Sequence, residues 1–393
     1  MHIGLVVYDG LDGRSGGYRY DRQLVSYLRD LGDEVEVISL SRRGTLGTAT
    51  DTISPAIRRD LDRPVDILLQ DALCADVLWR HNTHLTRPGA VLAIVHLLRS
   101  AKGMGNRRLP WRWLERRYLR TLDGAVCPSA STVQETRALT SIPTTVAYPA
   151  GRHEGMATHP ATVRSHAASG PLDIVFVGNV IPRKGVMTLL DALEGLSGEW
   201  RATIVGSHDA DPSYARTVRR TVDRHEAAAR IEVVGAVSDD RLETVLTEAH
   251  VLAIPSRRES FGMVYLEAME YGTVPIATTV GGSREFVVDG YNGRLVPPDD
   301  PVALQGILHE LLTDRDELAA LGARALETAE YHTTWAASMS RVRQFLRSRI
   351  DDDVAEPPAV TIPSDRMPAT AKGETLCDHV STAQQHDLGG NRR

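Results

Sequence analysis

The chain has 393 residues, 42% of them hydrophobic and 24% charged, and 45 Lys plus Arg against 51 Asp plus Glu leave a net charge of −6. That length suggests about two globular domains, and the ordinary composition excludes a collagen, a wholly disordered chain and a disulfide-stapled mini-protein. The mild acidity argues against nucleic acid as a partner. Three scattered cysteines, Cys74, Cys127 and Cys377, suggest neither a disulfide framework nor a cysteine zinc site and fit a reducing cytoplasm.

In chain order, Ile3–Tyr8 is a short apolar, β-branched run that ends in the glycine-rich stretch Asp9–Gly17. It reads as a first buried strand rather than a signal peptide, because no basic segment precedes it. A helical pattern through Leu24, Tyr27, Leu28 and Leu31 follows, stopped by Gly32, and Val35–Leu40 reads as the next strand. Strand, glycine loop, helix, strand is a βαβ opening, although the dinucleotide fingerprint G-x-G-x-x-G is absent. Further strands are predicted at Ile67–Gln70, Ala90–Val95, Gly124–Cys127 and Thr145–Tyr148. The longest central apolar run, Ala90–Leu98, is broken by His96 and falls far short of the ~20 residues of a membrane span. His81 and His84 are expected on the surface.

Residues 102–120 form a basic segment with seven Lys or Arg, one Glu and two Trp. Three readings stand side by side: contact with an anionic membrane, a hold on an anionic acceptor, or an amphipathic helix packing Trp111, Leu114 and Tyr118 on the lobe. Residues 150–170 lack sustained periodicity and read as a linker. Its histidines, His153, His159 and His166, are too loosely spaced to suggest a metal site.

At Ile174–Val177 the βα pattern restarts, and strands at Ala202–Val205, Ile231–Val234 and Val251–Ile254 follow, the last after a short amphipathic helix. The fold class is therefore α/β, with two Rossmann-like doubly wound lobes facing a central cleft. The expected organisation is a first lobe over 1–165, a second over 171–332, and a helix at about 333–350 that returns to the first lobe through Trp335, Met339, Val342 and Leu346. From 351 to 393 aromatic residues vanish, and the composition predicts a disordered tail.

Two stretches carry the chemistry. Pro255–Met269 follows a predicted strand directly, so it lies at the ligand-facing carboxyl end of a parallel sheet. Gly262 lets a ligand approach the backbone, and the N–H groups of the helix turn that follows can hold an anion or sugar hydroxyls. Glu259 in the loop and Glu267 one turn inside the helix offer carboxylate acceptors suited to neutral polyols. The second stretch, Gly178–Gly185, also follows a strand and opens a helix. Its Arg183 and Lys184 suit a diphosphate. His96, at a strand end beside the crevice, is a further candidate.

The segments FVGNVIPRKG and PSRRESFGMVYLEAMEYGTVPIATTVGGSREFVVDGYNGRLVPP resemble the family 4 retaining glycosyltransferases of the GT-B fold. The E-x7-E pattern from Glu259 to Glu267 is the specific signature, continued by Gly281, Gly282 and Glu285. The likeness is close from about Asp173 to Arg349 and looser before that. It implies an enzyme that moves a sugar from a nucleotide-sugar donor to an acceptor hydroxyl with retention of configuration. In that reading Glu259 contacts donor-sugar hydroxyls, Glu267 holds the ribose, and the backbone of Phe261, Gly262, Met263 and Val264 meets sugar hydroxyls and the β-phosphate. Lys184, with Arg183, neutralises the leaving diphosphate. Gly16 and Gly17 bring the first lobe's backbone to that diphosphate, His96 sits beside the donor sugar, and the base lies against Val234–Val237. The family often has Arg after the glycine matched by Gly178, where this chain has Asn179. No metal and no cofactor are expected, and the acceptor stays open between lipid, glycan, small metabolite and protein. The expected location is cytoplasmic, with 102–120 as a point of contact with the inner membrane face. A sugar-nucleotide epimerase, a phosphorylase and a non-catalytic sugar-nucleotide or glycan-binding protein are the alternatives.

Overall fold

A computed structural model describes residues 1–101 and 108–359. Residues 102–107 of the basic segment, and 360–393 of the expected tail with Cys377, lie outside the described residues.

The first sheet has six parallel strands: β1 (His2–Tyr8), β2 (Glu34–Leu40), β3 (Ile67–Asp71), β4 (Ala90–Ile94), β5 (Gly124–Cys127) and β6 (Thr144–Val146). Their order is β2-β1-β3-β4-β5-β6. Around it lie α1 (Gly16–Asp30), α2 (Thr45–Asp51), α3 (Pro55–Leu61), α4 (Ala75–His81), α5 (Arg108–Leu119) and α6 (Ala130–Arg137). The order reverses at β1, so the loops leaving β1, β3 and β4 open on one crevice. On that side lie Gly16 and Gly17 at the start of α1, Asp71 at the end of β3, and His96 just past β4. Strands buried on both faces explain the unbroken apolar runs in β1 and β4.

The second sheet repeats the plan with β7 (Leu172–Val177), β8 (Trp200–Val205), β9 (Ile231–Gly235), β10 (Val251–Ala253), β11 (Val274–Thr278) and β12 (Arg294–Val296). The order is β12-β11-β10-β7-β8-β9, so the reversal falls between β7 and β10. The loops leaving those two strands are the segments Gly178–Gly185 and Ile254–Gly262. The helices are α7 (Pro160–Ala167), α8 (Val186–Leu193), α9 (Pro212–Arg224), α10 (Asp239–Glu248), α11 (Met263–Met269), α12 (Pro301–Thr313) and α13 (Arg315–Tyr331).

Finally α14 (Trp335–Arg347) returns to α1, burying Trp335, Met339, Val342 and Leu346 in the first lobe's core. The two lobe crossings are tied to each other. His332 Nε2 donates to Pro149 O at 3.0 Å, and Trp335 Nε1 donates to Gly151 O at 3.0 Å. Residues 1–359 together make one compact unit.

Several expectations change. The stretch read as linker contains α7, capped by His159 Nδ1, which accepts from Ala161 N at 3.1 Å, and packed on α13 through Val163. It was hidden because eight residues give too little periodicity to read. Strand β11 was hidden by Pro275, which sits opposite Leu252 in the ladder. His81 is buried, with Nε2 bonded to Asp51 O at 2.7 Å, whereas His84 is exposed. Residues 351–359, read as the start of the tail, lie along α14: Gln344 Nε2 donates to Ala355 O at 3.1 Å and Arg349 pairs with Glu356. On α5 Glu115, Tyr118 and Leu119 are buried and Trp111 and Leu114 half-buried, while Leu109 and Trp113 stand 80% and 57% exposed.

Candidate functional site

Three segments meet at the carboxyl end of the second sheet. Lys184 closes a single 3-10 turn (Pro182–Lys184) and sends Nζ to within 2.7 Å of Glu259 Oε1. Arg183 Nη1 lies 3.7 Å from the same oxygen and donates to Arg258 O at 2.6 Å. Ser256 Oγ donates to Glu259 Oε1 at 2.5 Å. Burial would push the Glu259 carboxyl up, but Lys184 and Arg183 outweigh it and hold the group below the usual carboxylate range. Burial pushes the Lys184 amine down, and Glu259 only partly offsets this. The result is a largely desolvated cluster of two cations and one carboxylate, a surplus of positive charge where a diphosphate would sit. Asn179 is exposed and contributes no charge, so Arg183 is the second cation of this loop.

The loop after β10 is shaped by Gly262, whose φ of +90° opens α11, and by Tyr265, whose hydroxyl donates to Ile254 O at 2.7 Å. Phe261 turns its ring inward onto Phe286 at 4.7 Å, leaving its backbone at the cleft edge with the half-buried Met263 and Val264. Met263 approaches the first lobe: a methyl added at Gly16 would meet its sulfur at 3.1 Å. A methyl at Gly17 would meet the His96 ring at 3.3 Å. The glycine pair therefore lets α1 approach both the opposite lobe and His96.

Glu267, buried one turn into α11, is bonded across the cleft. Its Oε1 accepts from Arg19 Nη1 at 2.6 Å and its Oε2 from Arg152 Nε at 3.3 Å. Arg152 also reaches Asp239 at 3.1 Å. A second bridge lies at Glu285, which accepts from Ala130 N at 2.8 Å, Ser131 N at 2.7 Å and Tyr148 Oη at 2.9 Å. Arg258 pairs with Glu135 at 2.5 Å beside it. The expected site residues thus fall into two groups: Lys184, Arg183, Glu259, Glu267 and the 261–264 backbone in the second lobe, and Gly16, Gly17 and His96 on the first. Arg19, Arg152, Asp21 and Asp71 join them without any signal in the sequence. They carry no spacing pattern, and their partners lie tens to hundreds of residues away.

His96 is held from behind. Its Nε2 lies 2.8 Å from Asp21 Oδ1, and the ring meets Tyr20 edge-on at 5.4 Å. Asp71, at the end of β3, groups with both. His166, Asp173 and His250 also cluster, but His250 is already committed. Its Nδ1 accepts from Asp173 N at 3.0 Å and its Nε2 donates to His166 O at 3.0 Å.

Two facing Rossmann-like lobes joined by a double crossing define the GT-B architecture. Solved structures agree in fold. Sucrose-phosphate synthase from Thermosynechococcus elongatus superposes with a TM-score of 0.74 at 21% identity, over 88% of this chain and 98% of that one. Anabaena Alr3699/HepE in complex with UDP-glucose gives 0.70 at 17% identity, over 88% and 100%. Residues 161–328, most of the second lobe, match the family described as Glycosyl transferases group 1. A D-inositol 3-phosphate glycosyltransferase of Xylanimonas cellulosilytica is 38% identical over 152 residues, 39% of this chain and 36% of that protein. An uncharacterized glycosyltransferase of Methanocaldococcus jannaschii is 31% identical over 177 residues, 45% of this chain and 48% of that protein. The chain spans less than half the length of these two curated relatives.

Proposed function

We propose that the protein transfers a sugar from a nucleotide-sugar donor to an acceptor hydroxyl with retention of anomeric configuration. The observation that carries this reading is the contact of Lys184 with Glu259 where β7 and β10 part. It sets a paired cation and a sugar-facing carboxylate at the sheet's ligand edge. Breaking the sugar–phosphate bond builds positive charge on the sugar and negative charge on the departing diphosphate. Lys184 and Arg183 meet the latter, with the backbone N–H groups at the start of α11. Such a donor is worth ~3 kcal/mol of transition-state stabilisation. Glu267 takes the ribose, and the base lies against the end of β9, where Val234 is exposed. No metal or cofactor enters this scheme.

In this reading Glu259 is a poor nucleophile, because Lys184 and Arg183 neutralise its carboxylate and hold it below the usual range. The step we propose is same-face attack, with the departing phosphate taking the acceptor's proton. The acceptor, a lipid, glycan or small metabolite, lies on the first lobe's side near His96. The reading is tested by incubation with UDP-, GDP- and ADP-sugars, following nucleotide release and the anomer formed. Tight nucleotide binding without turnover would favour a binding protein, and a changed sugar on an intact nucleotide would favour an epimerase.

We further propose a cytoplasmic location, with α5 touching an anionic membrane face. Among the described residues no helix is long and apolar enough to cross a membrane. The support is the exposed pair Leu109 and Trp113, flanked by Arg112, Arg116 and Arg117. Co-sedimentation with phosphatidylglycerol vesicles should fall sharply in the Leu109→Ser, Trp113→Ser double variant. Equal binding to neutral and anionic vesicles would sink the idea.

A further inference from the structure

Two buried carboxylates stand against one histidine at the first lobe's half of the cleft. Asp21 is 1% exposed and Asp71 is 6% exposed. Asp21 projects from α1, Asp71 ends β3, and His96 follows β4, so three separate elements converge. The ligand atoms of all three lie within 4.8 Å of one another. Two buried negative charges at this distance repel unless a cation or a shared proton lies between them. The His96 ring is the nearest group that can supply it. Its Nε2 is engaged by Asp21, and among the described residues no hydrogen bond is made by its Nδ1. The His96 side chain is 10% exposed, and a methyl added at Gly17 would lie 3.7 Å from its Nδ1.

We propose that Asp21 is a positioning residue that fixes the His96 ring through Nε2 and, with Asp71, keeps it a cation whose Nδ1–H donates to an oxygen of the transferring sugar. This rests on the glycosyl-transfer reading above. It gives His96 a definite role: it donates a hydrogen bond and does not accept the acceptor's proton, which goes to the departing phosphate. The charged and titratable groups that face the ring are Asp21 from α1 and Asp71 from the β3 end, with the Tyr20 ring beside it; Arg42 acts on Asp71 from the β2 side. Burial alone would push His96 down, but Asp21 and then Asp71 raise it to about 9. Burial raises Asp71 to about 6, against the opposing pull of His96.

The test is an NMR titration of the histidine ring signals in the full chain without substrate, with His96 assigned from the His96→Gln spectrum. In the wild type His96 keeps both ring protons past pH 8, and in Asp21→Asn its midpoint falls to the ordinary histidine range near about 6.5. Asp71→Asn gives a smaller fall and serves if Asp21→Asn does not fold. In turnover, Asp21→Asn loses on the order of 10²-fold in kcat at pH 8 with donor KM unchanged, and regains much of it at pH 6. A wild-type His96 that titrates near 6.5, variants that leave its titration unmoved, or a loss equal at both pH values would overturn the proposal. Absence of any transfer by the wild type would instead sink the functional reading, since the ring titration needs no substrate.

Discussion

Arg19 on α1 and Glu267 on α11 form an ion pair of 2.6 Å across the cleft, joining residues 248 positions apart. With Arg152 on the other oxygen, this pair holds the lobes together at the place proposed for the ribose. A bound nucleotide would offer its hydroxyls to the same carboxylate. Lobe closure and donor binding are therefore coupled through one side chain.

Glu267→Ala should weaken nucleotide binding by about 10–100-fold, the worth of a charge-assisted hydrogen bond. Arg19→Ala should weaken it less, because the carboxylate that accepts the ribose remains. Isothermal calorimetry with the nucleotide that the donor screen selects checks both. Equal affinity in Glu267→Ala and wild type would remove Glu267 from the nucleotide site.

Lys184→Ala should reduce kcat on the order of 10²–10³-fold. It should also lower stability by about 3 kcal/mol, because Glu259 loses its nearest cation while staying buried. Lys184→Arg keeps the charge but not the reach, so it should recover stability more than rate. Thermal unfolding and steady-state turnover measured side by side separate the two effects.

Gly281 has φ +91°, and an added Cβ would collide with the carbonyl of Glu259, to which Gly282 N is bonded at 3.0 Å. Gly281→Ala should cost at least about 2 kcal/mol and displace the Glu259 loop. Gly290, at φ +68°, has open space around it, so Gly290→Ala should cost only about 1 kcal/mol and leave turnover intact. Equal losses in the two variants would show that the clash is not what shapes the loop.

Acid should destabilise the fold through His250 and His332. Burial is the main cause that pushes both down to about 4. Because the folded value lies below the unfolded value of about 6.5, the unfolded chain takes up protons first as pH falls. The stabilising contribution is complete above about pH 6.5 and is lost on the way to pH 4, worth about 3 kcal/mol per group. Denaturant unfolding across that range should show the slope, and His332→Gln should flatten it.

The second lobe's chemistry was legible in the sequence because its residues are local. Glu259, Gly262 and Glu267 sit on one loop and one helix turn, and Arg183 and Lys184 on another. A strand followed by a glycine-bearing turn fixes where each points. The two-lobed α/β class was legible for a similar reason, since doubly buried parallel strands must be apolar runs. Short or proline-bearing elements were not, as α7 and β11 illustrate, because eight residues or a Pro275 defeat any periodicity. The partnerships that complete the site belong to the tertiary structure alone. Asp21 with His96, Arg19 and Arg152 with Glu267, and Glu285 with the start of α6 join residues 75 to 248 positions apart. Sequence determined which groups carry charge and which strands they follow. Only the meeting of two separately wound sheets decided which charges neutralise each other, because Coulomb and hydrogen-bond energies depend on distance in space rather than along the chain.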